Sequence, residues 1–263
     1  MAATAAGAPV SSLAIEPARR GIDLATLDPD GLYRETAALF LEALPLTTPA
    51  LRVPACPSWD VHDLVAHQVH QLQGACSGTF PIKDALDAII APQARLRREA
   101  VARQTRWIDA GLRVYRARPL DALVEEWTGL TADAPPAALA GLFPDVAVHF
   151  YDLLGAAQSA AHRDHRILAP ALRFWAEHSA ARLEQAARGP VRLSVVRNGL
   201  SWDVIGDAQA AVVVEGTAFE LLRAMTGRRT RRQACASLRW INAPDAFADN
   251  FSVYGWRSVK LLE

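Results

Sequence analysis

Apolar residues recur every three or four positions through most of the first 160 residues, which is the period of a helix that buries one face. Asp60 has the character of an N-cap, and Asp63 stands at the third position of its helix as an acidic variant of a capping box. The pattern predicts helices over about 30–44, 60–72, 92–116, 119–130 and 142–157. Long helices joined by loops, with no convincing strand among them, predict a helix bundle.

The pattern changes after about residue 165. A predicted helix over 167–187 is followed by segments of period two at 191–197, 201–205 and 211–215. Asn198-Gly199 predicts a hairpin, because both residue types tolerate a positive φ. Thr217 and Glu220 predict a capping box for a helix that ends at Gly227. The second part of the chain is therefore predicted to be a small α/β domain.

The sequence thus predicts an α+β protein in three parts. Residues 1–25 are expected to form a disordered tail, since they are rich in Ala, Ser and Pro and lack the apolar core of a signal peptide. Residues 26–165 are expected to form the helix bundle, and residues 166–263 the α/β domain. At 263 residues, of which 51% are hydrophobic, the chain is long enough for a sizeable core.

Charge and cysteine content limit the expected partners and compartment. Lys plus Arg and Asp plus Glu number 28 each, and we interpret the basic run at 228–232 as a solvated helix start, so no nucleic-acid partner is expected. Cys56, Cys76 and Cys235 are odd in number and form no C-x-x-C motif, which favours a reducing cytoplasm. No uninterrupted apolar run approaches a membrane span. We expect a cytoplasmic monomer or homodimer that acts on a small molecule and has no membrane partner.

His67, Asp145 and His149 form the most informative constellation. Asp145 and His149 are four residues apart and share a helical face, while His67 lies near the buried stripe of another helix. Two histidines and a carboxylate are a common ligand set for a catalytic divalent ion with an open coordination position. From spacing alone, an ordinary surface Asp–His contact and a satisfied core histidine are the more usual interpretations, and both remain open.

Other residues carry weaker signals. His70 follows His67 by three residues and is a candidate pocket residue for substrate, although a core or surface role is also open. Asp152 is a candidate to orient a ligand histidine from behind, or else a helix-surface carboxylate. The aromatic residues near these motifs are interpreted as core: Trp59, Tyr151 and Trp240.

Three segments resemble one family. Residues 56–67 (CPSWDVHDLVAH) resemble the CPGWTVRDLVAH segment of the mycothiol-dependent maleylpyruvate isomerase family, in the DinB superfamily. Residues 148–152 (VHFYD) resemble its VHRWD segment, and residues 214–228 are similar to its C-terminal stretch that ends in LtGR. The resemblance covers roughly residues 30 to 240 in the family's order.

The resemblance implies a DinB-type four-helix bundle, followed by a small sterol-carrier-like α/β domain. It also implies a divalent ion, usually zinc, at the positions of His67, Asp145 and His149. The family has glutamate where this chain has Asp145, whose side chain is one methylene, or about 1.5 Å, shorter. We therefore expect a shifted backbone, a bridging water, or a metal that is held weakly or not at all, because metal sites tolerate errors of only about 0.2 Å.

The implied activity is metal-dependent chemistry with the low-molecular-weight thiol mycothiol: isomerisation of a small electrophile, or thiol transfer to it. Arg228 would bind a substrate carboxylate or developing enolate, unless it only neutralises carbonyls at a helix end. One alternative is a metal- and thiol-independent enzyme of secondary metabolism on the same fold, with His67, His70, Asp145 or His149 as acid or base. A further alternative is a non-catalytic small-molecule binding protein.

Overall fold

Helices build the whole first part of the chain in the computed structural model, which describes residues 28–91 and 93–261. The predicted disordered tail lies outside the described residues. The helices are α1 (Pro29–Ala43), α2 (Val61–Ser77), α3 (Ile82–Ile90), α4 (Ala94–Tyr115), α5 (Leu120–Asp133) and α6 (Pro136–Ala156), with a 3-10 turn at Leu44–Leu46.

Helix α6 is the spine of the bundle, because it packs along both α1 and α2, while α2 also packs on α4 and α5. Its residues are buried almost continuously from Leu142 onward. Of the helices in the described ranges, α6 alone is long and apolar enough to cross a membrane by length and composition. However, 72% of its most apolar window is buried inside the protein, as in a core helix.

Local signals explain where the helices begin, with one correction. The Asp60 carboxylate accepts from the backbone N–H of Asp63 at 2.9 Å, so the predicted N-cap of α2 is confirmed. The start predicted near residue 142 for the last helix of the bundle is wrong, because α6 already begins at Pro136. Proline fits the first turn of a helix, where its missing N–H has no partner to lose. Helix α3 was not predicted at all.

The second part begins with α7 (Leu168–Ala187) and continues with β1 (Val191–Arg197), β2 (Leu200–Ile205) and β3 (Val212–Gly216). Helices α8 (Ala218–Met225) and α9 (Arg231–Ser237), strand β4 (Arg239–Ile241) and helix α10 (Asp245–Phe251) follow. The sheet order is β2-β1-β3-β4, with β1 and β3 parallel and both outer pairs antiparallel. The predicted hairpin is confirmed: Asn198 and Gly199 both have positive φ, at 51° and 77°.

The capping box predicted for α8 is only half formed. The Thr217 hydroxyl accepts from the Glu220 N–H at 3.2 Å, but the Glu220 carboxylate is bound by Arg229 at 2.8 and 2.9 Å. A complete box forms instead at Thr230 and Gln233, at the start of α9. The predicted solvation of the 228–232 run is also wrong at its first two residues, because the side chains of Arg228 and Arg229 are largely buried.

The α+β class is confirmed, with a helix-rich first part and a four-stranded sheet in the described residues. A loop over 157–167 separates α6 from α7. The domain boundary placed at 165/166 falls within this loop and stays a prediction.

Candidate metal centre and the carboxylate behind it

The three predicted ligands lie together between α2 and α6. The Asp145 Oδ2 atom is 3.3 Å from His67 Nε2 and 3.6 Å from His149 Nε2. All three donor atoms lie within 4.8 Å of one another. Both imidazoles are buried, while the Asp145 side chain is 26% exposed and leaves an open side to the cluster. Residues that are 78 positions apart in sequence thus converge on one point.

These spacings fit a tetrahedral divalent ion. Zinc bonds of about 2.0–2.1 Å place neighbouring ligand atoms about 3.3 Å apart. The shorter side chain of Asp145 therefore reaches the histidines. The Gln71 amide nitrogen, which only donates, lies 2.7 Å from His67 Nε2. That nitrogen of His67 also faces the Asp145 carboxylate at 3.3 Å, in a place that suits a cation.

Protonation differs between the two histidines. Burial lowers the pKa of His67, which favours its neutral form as a ligand. Burial also opposes charge on His149, but Asp145 and then Asp152 outweigh it and raise its pKa to about 10. Burial alone would raise the pKa of Asp145, but the nearby His149 and His67 outweigh this effect and lower it to about 2. Without an ion, the centre therefore holds a proton on His149.

Asp152 stands directly behind His149. Its Oδ2 accepts from His149 Nδ1 at 2.9 Å, which fixes the ring and turns Nε2 toward Asp145. Arg223 donates to Asp152 Oδ1 at 2.6 Å, and Arg228 donates to Oδ2 at 2.9 Å. Burial opposes ionisation of Asp152, yet the two guanidinium groups hold its pKa well below the usual range. The fully buried carboxylate thus joins the ligand histidine to two arginines from the second part of the chain.

Arg228 reaches the bundle, as the sequence predicted for a substrate-binding residue. Its guanidinium contacts Asp152 and also donates to the Thr226 carbonyl at 2.7 Å, so it neutralises a helix-end carbonyl as well. The helix-end role thus has a structural counterpart, while substrate binding by Arg228 stays a prediction. Sequence reasoning missed Arg223. The sign of it in the sequence is a charged residue inside the otherwise apolar stretch LLRAM.

The loop before α2 adds two side chains to the site. The Trp59 ring packs on both ligand imidazoles, with its centroid 4.8 Å from that of His67 and 5.6 Å from that of His149. It was predicted to be a core residue; it is half-buried, packs against the hydrophobic core and also covers the histidine pair. The Cys56 thiol lies 3.6 Å from Asp152 Oδ2.

His70 lies apart from the cluster. Its ring stacks on Trp107 of α4, with centroids 3.8 Å apart, and its Nε2 is 3.3 Å from the Trp107 carbonyl. A role of His70 in substrate binding stays a prediction, and the structure gives it a packing role against α4.

Two other groups of potential ligands in the described residues are already committed to other contacts. In the first, Asp63 is paired with Arg116 at 2.7 and 2.9 Å, and Asp60 caps α2. In the second, Asp152 is held by its two arginines and by His149. In the group of His67, Asp145 and His149, the facing atoms contact one another, and the Gln71 amide is a further neighbour of His67 Nε2.

A cavity of about 50 Å³ borders Asp145 and Gln71, with room for a few water molecules. Its walls come mostly from apolar side chains of α3, α6, α7 and the C-terminal segment, among them Ile89, Trp175 and Tyr254. A larger groove of about 710 Å³ lies between the 163–169 segment and the β1–β2 hairpin, and none of the three candidate ligands lines it.

Comparison with known proteins identifies the first part of the chain. Residues 32–154 match the family described as the mycothiol maleylpyruvate isomerase N-terminal domain, a match that contains His67, Asp145, His149 and Asp152. No curated protein matches the chain. Two solved structures align with 82% of this chain and 92% of theirs, at 14% identity and a TM-score of 0.42. They are described as the mycothiol-dependent maleylpyruvate isomerase and a histidine-to-alanine mutant of that enzyme. Residues 32–154, which are 123 of the chain's 263 residues, therefore match the N-terminal domain of the mycothiol maleylpyruvate isomerase family.

Proposed function

We propose that the protein is a metal-dependent enzyme that uses mycothiol to isomerise a small electrophilic substrate or to transfer the thiol to it. One observation carries this proposal: three donor atoms from two helices converge within 4.8 Å, and a buried carboxylate orients one of them from behind. Surface Asp–His contacts lack that buried support, so the geometry favours a ligand set over a chance contact.

His67 and His149 would bind zinc through Nε2, and Asp145 would bind it through Oδ2. When bound, such an ion favours the thiolate form of a thiol and so provides a nucleophile at neutral pH. Asp152 keeps the proton of His149 on Nδ1, which leaves Nε2 free for the ion. Trp59 covers the two imidazoles and limits the access of water. Binding at His67 displaces the Gln71 amide, at the cost of one hydrogen bond.

Arg228 supplies a positive charge beside the site. Its guanidinium is shared with Asp152, so a substrate anion would meet a donor that is already oriented. The proposed partner is a small molecule, and the mycothiol requirement is taken from the family whose N-terminal domain residues 32–154 match.

The first test measures metal content. We expect about one equivalent of metal in the purified protein, and a loss of that metal in His67→Ala and in His149→Ala. His165→Ala is the matched control, because His165 lies outside the cluster and contacts Glu35. Unchanged metal content in either ligand variant would contradict the assignment.

The second test replaces the metal with cobalt and adds mycothiol. A thiolate-to-cobalt charge-transfer band is expected with mycothiol and not with its S-methyl derivative. If metal binds but no band appears, the thiol part of the proposal fails while the metal site stands.

A second candidate function is acid–base chemistry without metal. The observation that favours it is the His149–Asp152 pair, in which His149 is protonated at neutral pH and set beside Asp145. Metal-free protein that is fully active in thiol-free buffer would support this candidate over the first.

A further inference from the structure

Gln71 is a buried amide that contacts the metal centre with one end and has no partner at the other. It stands one turn after His67 on the same face of α2 and is 2% exposed. Its Nε2 lies 2.7 Å from His67 Nε2, the atom that would bind the ion. Its Oε1 is buried and has no hydrogen-bond partner within residues 28–91 and 93–261. An unpaired buried amide end costs free energy, so a hydrogen-bonding ligand beside it would be favoured.

The cavity of about 50 Å³ beside the centre provides room for such a ligand. Gln71 and Asp145 both line it, and so does the amide side chain of Gln104. A buried water molecule needs about two to four polar partners and a space of this order. The cavity therefore suits a water molecule or an anion of a few atoms at the side of the candidate metal centre.

An ion at His67 Nε2 would end the contact between that atom and Gln71. A ring nitrogen binds one partner in its plane, so the ion and the amide cannot both occupy it. Neither end of the buried amide would then have a partner, unless the side chain turns to a new one. An amide carries both a donor and an acceptor, so it can bond to a water molecule, to a thiol or to an anion.

We propose that Gln71 is a positioning residue of the metal centre, whose amide turns from His67 to hold the water molecule or small anion at the open coordination position of the ion. The proposal rests on the proposed function as far as the ion is concerned, and it does not depend on the use of mycothiol. The amide accepts from a bound water molecule and donates to a bound anion, so one neutral side chain serves ligands of either kind.

The test loads the full chain with cobalt and titrates it with azide, a small anion that binds at open positions of metal ions. The visible absorption of the cobalt reports azide binding. Gln71→Met has about the same length but neither polar end, and its azide affinity should fall about tenfold or more, since hydrogen bonds to charged groups are strong. Its cobalt affinity should stay within about twofold of the wild type, because the hydrogen bond given up at His67 is regained at the bound ligand.

Gln73→Met is the matched control. It removes an exposed amide of the same helix that bonds to the Tyr115 hydroxyl, and it should match the wild type in both affinities. If Gln71→Met binds cobalt about fivefold more tightly and azide as well as the wild type does, Gln71 only competes with the ion for His67, and the proposal is overturned. That fivefold change is one hydrogen bond of about 1 kcal/mol.

Gln71→Glu provides a second, independent variant. It keeps the shape of Gln71 and adds a carboxylate, which is a metal ligand, so it should bind cobalt about tenfold more tightly and azide more weakly. Unchanged cobalt affinity in this variant would show that the side chain does not reach the ion and would also overturn the proposal. A wild type that binds no cobalt would refute the metal centre itself, whereas unchanged azide binding in cobalt-loaded Gln71→Met refutes the role of Gln71 alone.

Discussion

Replacing Asp152 by asparagine should be the most damaging single-atom change near the metal centre. The carboxylate is fully buried and accepts from Arg223 at 2.6 Å, from Arg228 at 2.9 Å and from His149 at 2.9 Å. Asparagine keeps the shape but removes the negative charge that faces the two arginines and points an amide donor at one of them. Breaking a buried ion pair by removing one partner costs about 3–5 kcal/mol. At about 2–4 °C per kcal/mol, the Tm should fall by about 6–20 °C.

Urea unfolding of the metal-free protein at neutral pH measures this cost without a contribution from the ion. The matched control is Asp164→Asn, which removes the exposed partner of Arg197 in a 2.6 Å pair and should cost less than about 1 kcal/mol. In a second assay, zinc affinity of Asp152→Asn should be about 10–100-fold weaker, since a neutral amide is a weaker orienting acceptor for His149 than the carboxylate. The reasoning is refuted if Asp152→Asn unfolds within about 1 kcal/mol of the wild type.

Four further outcomes are expected. Asp145→Glu should lower zinc affinity in a chelator competition. Asp145 Oδ2 already lies 3.3 Å from His67 Nε2 and 3.6 Å from His149 Nε2, so a longer side chain would carry the carboxylate out of this spacing. Tighter binding would contradict this geometry. At pH 8, zinc binding should release one proton from His149, because its pKa of about 10 keeps it charged in the metal-free protein. Calorimetry in buffers of different ionisation enthalpy measures the number of protons released. In the metal-free protein, the raised pKa of His149 means that its protonation stabilises the fold. This contribution to the free energy of unfolding is complete below about pH 6.5 and is lost as the pH rises through about 10. A free energy of unfolding that stays constant across this window would argue against it. Tyr33→Phe should cost about 1–3 kcal/mol in urea unfolding, since the buried Trp127 N–H loses the hydroxyl that accepts from it at 3.0 Å; no change would mean that the donor finds another partner.

Features that depend on local sequence were predictable. The cap at Asp60, the hairpin at Asn198-Gly199 and the period of the long helices each follow from a few neighbouring residues. The convergence of His67 with Asp145 and His149 came from the family resemblance, since spacing alone left a surface contact and a core histidine open. Sequence reasoning therefore found the members of the cluster but not their distances.

Features that depend on distant partners were not predictable. The Glu220 carboxylate pairs with Arg229, nine residues away, instead of closing the box at its own helix start, and the complete box lies at Thr230 and Gln233 of the next helix. Arg223 stands 71 positions from Asp152, and a buried arginine in an apolar helix gives no sign of its partner in the sequence. Helix α3 is only nine residues long, too short for its period to stand out between two loops.

The arginines that surround Asp152 also bear on how the protein is made. Arg228 lies 76 residues after Asp152 in the chain. At about 5–20 residues per second, a ribosome needs about 4–15 s to cover that stretch after it has added Asp152. During this time the helices of the bundle can pair, but the carboxylate behind His149 lacks its counter-charges and favours solvent over burial. The last turns of the bundle around Asp152 should therefore close only after the second part of the chain has been synthesised, so a ribosome stalled before α8 should carry a bundle whose candidate metal centre is still open.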